Sequence, residues 1–229
     1  MARAVALIEV LLCSGFPTQI ALGATLMAFG VAAETPQHAL RVGYVVGISL
    51  ADSAAVIGLV FLFLLTHGER PREVLLGNRR SLGEALAGIP LIVVALLIAA
   101  AALTAIQHVM PSLHTVEHNP LQELMKTPRN AWLFVLVALV AGGLREEIQR
   151  AFLLHRFEVW LGGGVTGIIV TSAAFGAGHL IQGVDAGIAT GLLGAFWGVV
   201  YLRRRSMIAP MVSHAGFDLL QIIAQVLFH

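Results

Sequence analysis

The chain has one cysteine, Cys13, and few charges: Lys, Arg, Asp and Glu make up 12% of its 229 residues. A lone cysteine excludes an intramolecular disulfide framework and any cysteine-based metal cluster. Soluble domains carry roughly 25% charged residues, so a chain this poor in charge lacks the material for an ordinary water-facing surface. Net charge is only +1, which leaves no global field to recruit nucleic acid. Low-complexity tracts, internal repeats and a separate soluble domain are also missing. What fills the chain instead is apolar: hydrophobic residues reach 58%, against roughly 45–50% in soluble domains.

Seven apolar stretches are long enough to cross a hydrocarbon layer of about 30 Å at 1.5 Å of helical rise per residue. They lie near 5–32, 40–66, 84–107, 131–154, 162–181, 186–202 and 207–228. The fold class is therefore all-α, a multi-pass transmembrane helical bundle of about seven spans, or eight if the first is divided. Arg3 ahead of an apolar run resembles a signal peptide. The run is much longer than the usual 7–15 residues and has no clear cleavage context, so it reads as a retained helix. Gly15-Phe16-Pro17 predicts a kink or break within it. Pro111, Pro120 and Pro128 mark 111–129 as a loop with one short helix near 120–126. The expected partner is the lipid bilayer, and the expected location is the cell membrane.

Three polar signatures interrupt this background. They are Arg145-Glu146-Glu147-Ile148-Gln149-Arg150, Phe175-Gly176-Ala177-Gly178-His179 and His214-Ala215-Gly216-Phe217-Asp218. An ionisable side chain at bilayer depth costs ~2.5–3.5 kcal/mol on insertion scales, so each must face a partner or water. Helix positions four apart share a face, which predicts pairing of Glu146 with Arg150 and of His214 with Asp218. Glu147 points about 100° further round and is expected to be freer to hold water. Glu, His and Asp are the types that move protons and activate water, whereas no serine or cysteine is placed for a covalent route. The other histidines, including His67, His114, His118 and His155, fall in loops or near span ends and are expected to be solvated. Trp132, Trp160 and Trp197 are expected to anchor the interface or pack.

The order Glu-Glu…Arg, Phe-x-x-x-His, His-x-x-x-Asp, each on its own hydrophobic helix, resembles the CAAX protease and bacteriocin-processing family. That family includes the type II prenyl-protein endopeptidases and the Abi proteins. The likeness covers residues ~130–228, dividing one integral membrane domain into N-terminal helices and loops (1–129) and a catalytic-type core (130–229). It implies an intramembrane endopeptidase acting on a membrane-associated peptide or protein, prenylated in some relatives, with Glu146, Glu147, Arg150, His179, His214 and Asp218 as site residues. No cofactor is implied with certainty, and a divalent metal is left open. One departure stands out. Aligning Arg150 with the family arginine makes Glu146 the second glutamate and puts Arg145 where the catalytic glutamate is expected, whereas aligning the two glutamates leaves Ala151 at the arginine position. The flanking Gln-Arg-Ala-Phe favours the first register, with Glu146 or Glu147 as the base. Two other classes fit the same residues: a non-catalytic scaffold or immunity-type relative, and a proton-coupled transporter whose Glu, His and Asp form a relay.

Straight spans place His214 and Glu146 about 8 and 9 residues from one membrane face but His179 about 17 residues from it, ~25 Å at helical rise. The motifs meet only if the fourth helix runs past 155 or the fifth begins after Gly162-Gly163-Gly164.

Arg3, Arg70, Arg72, Arg79, Arg80, Arg156 and Arg203 to Arg205 gather on one side of a seven-span arrangement, with Arg41, Lys126 and Arg129 on the other. Basic residues mark the cytoplasmic side, so the N-terminus is expected inside and the C-terminus outside. A reporter fused after His229 should read as non-cytoplasmic and one inserted near Asn78 as cytoplasmic. A cytoplasmic C-terminus would require an even number of spans.

Overall fold

The computed structural model describes residues 2–35, 39–116 and 120–228, and every long element is helical. The first apolar stretch is two helices, α1 (Arg3–Leu12) and α2 (Phe16–Ala28), bent by 46° at their junction. Gly15 takes φ 87° there and Pro17 sits in the first turn of α2, as the Gly-Phe-Pro signal predicts. Then come α3 (Val42–Thr66), a five-residue α4 (Pro71–Leu75) and α5 (Ser81–Val109). A short α6 (Pro120–Leu124) precedes α7 (Pro128–Val137), which Thr127 caps by accepting from the Asn130 amide. The core completes with α8 (Glu146–Trp160), α9 (Gly164–Gly178), α10 (Val184–Arg204) and α11 (Ile208–Phe228).

By length and composition, α3, α5 and α10 can each cross a membrane, and the bent pair α1–α2 makes a fourth candidate. Ala138–Arg145, between α7 and α8, winds as a π-helix rather than an α-helix. Such segments are rare and frequently occur at functional sites. This one delivers Arg145 and Glu146 at its end. The sequence patterns carry no sign of it.

Close approach of backbones sets where the motifs meet. A Cβ on Gly176 would lie 2.6 Å from the Gly187 carbonyl oxygen, and one on Gly143 would lie 2.8 Å from the Ala215 Cβ. Small residues therefore let α9 press on α10 and the π-segment on α11, as in other membrane helix pairs. Element ends close the depth gap between His179 and Glu146. The fourth helical stretch runs on to Trp160, six residues beyond the expected end, and α9 starts only at Gly164 and is just 15 residues long. Both shifts carry His179 toward Glu146.

Of the histidines expected to be solvated, His67 and His114 are exposed and His155 is half-buried, yet each also holds a carboxylate. His67 Nε2 lies 2.6 Å from Glu9 Oε1 and His155 Nε2 lies 3.1 Å from Glu69 Oε1. Both carboxylates converge on Arg156, which is fully buried: its Nε donates to Glu9 at 2.6 Å and its Nη1 to Glu69 at 2.6 Å. His114 Nδ1 likewise meets Asp185 at 2.7 Å, while His118 lies outside the described residues. These pairings have one cause. A loop at a span end sits where helix termini and buried charges need partners, so its histidines are recruited.

Burial opposes ionisation of Glu69, but hydrogen bonds from Arg156 and His155 outweigh it and hold its carboxyl below the ordinary glutamate value. A depressed carboxyl contributes stability above its unfolded pKa, ~4.3, and loses it as pH falls through the lower folded value. Glu69→Gln should therefore lower the melting temperature at neutral pH, and the gap to the parent protein should close as the pH is taken below about 4. Thermal unfolding in detergent at a series of pH values measures this.

Candidate active site at the junction of four helices

All six residues singled out by the motifs come together. Glu146, Glu147 and Arg150 lie on the first turns of α8, His179 caps the C-terminus of α9, and His214 and Asp218 are one turn apart on α11. Glu146, His179, His214 and Asp218 share the wall of a cavity of about 530 Å³. A second cavity of about 270 Å³ lies against it, lined by Phe16, Gln19, Arg145, Arg150 and Phe175 among others. Glu146, Phe175 and His179 line both, so these three mark where the cavities adjoin.

The pairing inside the cluster differs from the helix-face expectation. Arg150 donates from Nη1 to Glu147, three residues away, rather than to Glu146. Glu147 is 1% exposed and its Oε1 also faces His214 Nδ1 at 2.8 Å. Glu146 has longer contacts only: 3.6 Å to His214 Nε2 and 3.9 Å to Arg145 Nη1. The glutamate expected to be free is thus the committed one, and the glutamate expected to be paired faces the cavities. The reason is direction. Glu147 points toward α11, where a buried charge requires partners, and the ~100° step per residue then turns Glu146 out of that contact.

A carboxylate only accepts hydrogen bonds, so His214 donates to Glu147 from Nδ1, which turns Nε2 toward the cavity. There Nε2 stands 3.6 Å from Glu146 and 3.8 Å from Asp218, beyond direct hydrogen-bond range but suited to a bridging water. The expected His214–Asp218 pairing is therefore a neighbour relation rather than a hydrogen bond. Trp197 of α10 stacks on the His214 ring at 3.8 Å between centroids and 19° between planes. Its Nε1 donates to Ser213 Oγ at 3.1 Å. Trp197 is thus a packing residue, and the one that fixes His214. Asp218 gains its place because position 142 lacks a side chain: a Cβ there would collide with the carboxylate. His179 Nδ1 lies 2.8 Å from the Phe175 carbonyl oxygen. That oxygen can only accept, so Nδ1 carries the hydrogen and neutral His179 keeps its lone pair on Nε2.

Sequence reasoning missed Asp52. It lies 4% exposed on α3 and accepts from Arg145 Nη2 at 2.5 Å. The available signal was an acidic residue inside a long apolar stretch. As for the metal left open by the resemblance, no group of three or more His, Cys, Asp or Glu among the described residues is placed to hold an ion. Glu147 is taken by Arg150 and His214. These residues do not fit a divalent metal.

With this geometry in view, residues 128–220 match the family described as Type II CAAX prenyl endopeptidase Rce1-like. The match takes in all three motifs and establishes the resemblance over that segment, about two-fifths of the chain. No curated protein and no solved structure matches the chain at a significant level.

The two glutamates should separate by stability. Removing one member of a buried ion pair typically costs ~3–5 kcal/mol, so Glu147→Gln should strongly lower the unfolding temperature. Glu146→Gln removes no close contact and should leave it nearly unchanged. Equal melting shifts in detergent would contradict the assigned pairings.

Proposed function

We propose that residues 128–220 form the catalytic core of an intramembrane endopeptidase that cleaves a membrane-associated peptide or protein with a water activated by Glu146. One observation supports this most: Glu146, His179, His214 and Asp218 line a single cavity while Glu146 makes no direct hydrogen bond among the described residues. In this reading Glu146 takes a proton as water attacks the scissile carbonyl carbon, and His179 Nε2 holds that water. When His214 carries both protons, its Nε2–H donates to the oxyanion, with Asp218 orienting it. Collapse of the tetrahedral intermediate breaks the C–N bond, and Glu146 returns its proton to the departing amine. Glu147 and Arg150 position His214 and do not touch the reacting atoms.

The second cavity adjoins the same glutamate and is walled by Val10, Leu11, Phe16, Leu153, Val170 and Ala174. Such a lining suits an apolar substrate group next to the scissile bond, a prenyl chain among them. The same reading carries the seven-span arrangement, with α7 to α8, α9 and α11 crossing beside α1–α2, α3, α5 and α10. The scaffold is the alternative that the cleavage assay below separates from it, and proton-dependent flux in proteoliposomes would bring forward the transporter.

General acid–base groups contribute typically 10²–10⁴-fold. On a peptide that the purified protein cleaves, Glu146→Gln and His179→Ala should each lower turnover by at least ~10²-fold without unfolding the protein, and chelator should have no effect. Parental turnover in both variants would remove glutamate catalysis and favour the scaffold.

A further inference from the structure

Asp52 lies outside the three motifs and outside the family segment, near the middle of α3. That helix is otherwise almost wholly apolar, with a mean hydropathy of 2.3 over its best window. An acidic residue at that depth is costly unless something requires it. Asp52 is held by donors from two elements: Thr18 Oγ1 and, at 3.4 Å, Gln19 Nε2 from α2, and Arg145 Nη2 at 2.5 Å from the end of the π-segment. Gly15 completes the seat, since a Cβ there would collide with the Arg145 guanidinium.

Arg145 is the residue immediately before Glu146, and its Nη1 already stands 3.9 Å from Glu146 Oε1. Arg145 is 7% exposed, and its buried Nε has no partner among the described residues. A guanidinium in such surroundings takes whichever carboxylate it can reach, and bidentate pairing is its strongest mode. Two carboxylates are in reach. If Arg145 closed on Glu146, both oxygens that could accept a water proton would be occupied.

We propose that Asp52 is a positioning residue that holds the Arg145 guanidinium off Glu146 and so leaves the Glu146 carboxylate open to the cavities. This rests on the reading of Glu146 as the base. It also explains how an arginine is accommodated where the family pattern expects a glutamate: a counter-charge on α3 draws it aside. A purely structural bolt between α3 and α8 would join the same residues but would not control access to Glu146.

The test follows access to Glu146 directly, in the full chain in detergent. Dicyclohexylcarbodiimide adds to carboxyl groups in apolar surroundings, and peptide mass spectrometry locates the adduct. Asp52→Asn should slow labelling of Glu146 by about tenfold or more, because a released Arg145 pairs with it bidentately. Asp52→Asn with Arg145→Gln should restore the parental rate. In a cleavage assay kcat should fall and recover in parallel, with KM little changed. Unchanged Glu146 labelling in Asp52→Asn, or slow labelling that persists in the double variant, overturns the proposal. If Asp52→Asn does not fold, Arg145→Gln alone decides: labelling at or above the parental rate supports it, and slower labelling overturns it. A parent protein that cleaves nothing counts against the hydrolase, while the labelling still reports on the positioning.

Discussion

The carboxylate of Glu147 is the contact on which the site depends. It accepts from Arg150 on its own helix and from His214 on α11. Trp197 of α10 lies flat on that histidine, and the Phe175 ring of α9 meets it edge-on with centroids 6.1 Å apart. Arg150 in turn stands over the Phe175 ring at 4.9 Å. One buried anion thereby ties four helices to a common point. In a low-dielectric interior such a group is stabilising only when fully satisfied and strongly destabilising when a partner is lost. Because Glu147 takes Arg150 and the Nδ1 side of His214, what remains for the cavity is Glu146 and the Nε2 side. The division of labour between adjacent glutamates thus follows from which one the fold needs.

Much of this was legible in the residues. Apolar stretches long enough to span, broken by proline and glycine, located every long helix, and Gly15-Phe16-Pro17 marked the bend between α1 and α2. The three motifs named the six side chains that gather at the site, because a charge inside an apolar stretch has few explanations. What stayed hidden depends on rotation and on distant partners. Spacing alone pairs Glu146 with Arg150, yet three and four residues along a helix are both neighbours, and the environment across the interface chose Glu147. The π-segment changes helical phase just before Glu146 and leaves no periodic trace. Asp52 sits 93 positions from Arg145, and nothing local to either residue announces the other.

The arrangement of charge bears on what such a cluster can be for. A structural clasp is expected to bring each ion it buries into direct contact with an opposite charge, as Glu9 and Glu69 both are with Arg156. Around the cavity the two guanidinium groups are already taken, Arg145 by Asp52 and Arg150 by Glu147. Among the described residues, Glu146 and Asp218 are left facing open volume with only long charged contacts: Arg145 at 3.9 Å from Glu146, and His214 at 3.6 Å and 3.8 Å from the two carboxylates. That is a poor clasp and a serviceable place to hold water against a carbonyl. A proton relay makes a different demand, since titratable groups must continue from the site toward a membrane face. Along α8 they do not. Ala151, Phe152, Leu153 and Leu154, all buried, separate Arg150 from His155 and the Arg156 cluster. The apolar block isolates the polar centre from the charged rim on that helix, which favours chemistry contained in one cavity over transport along the helix.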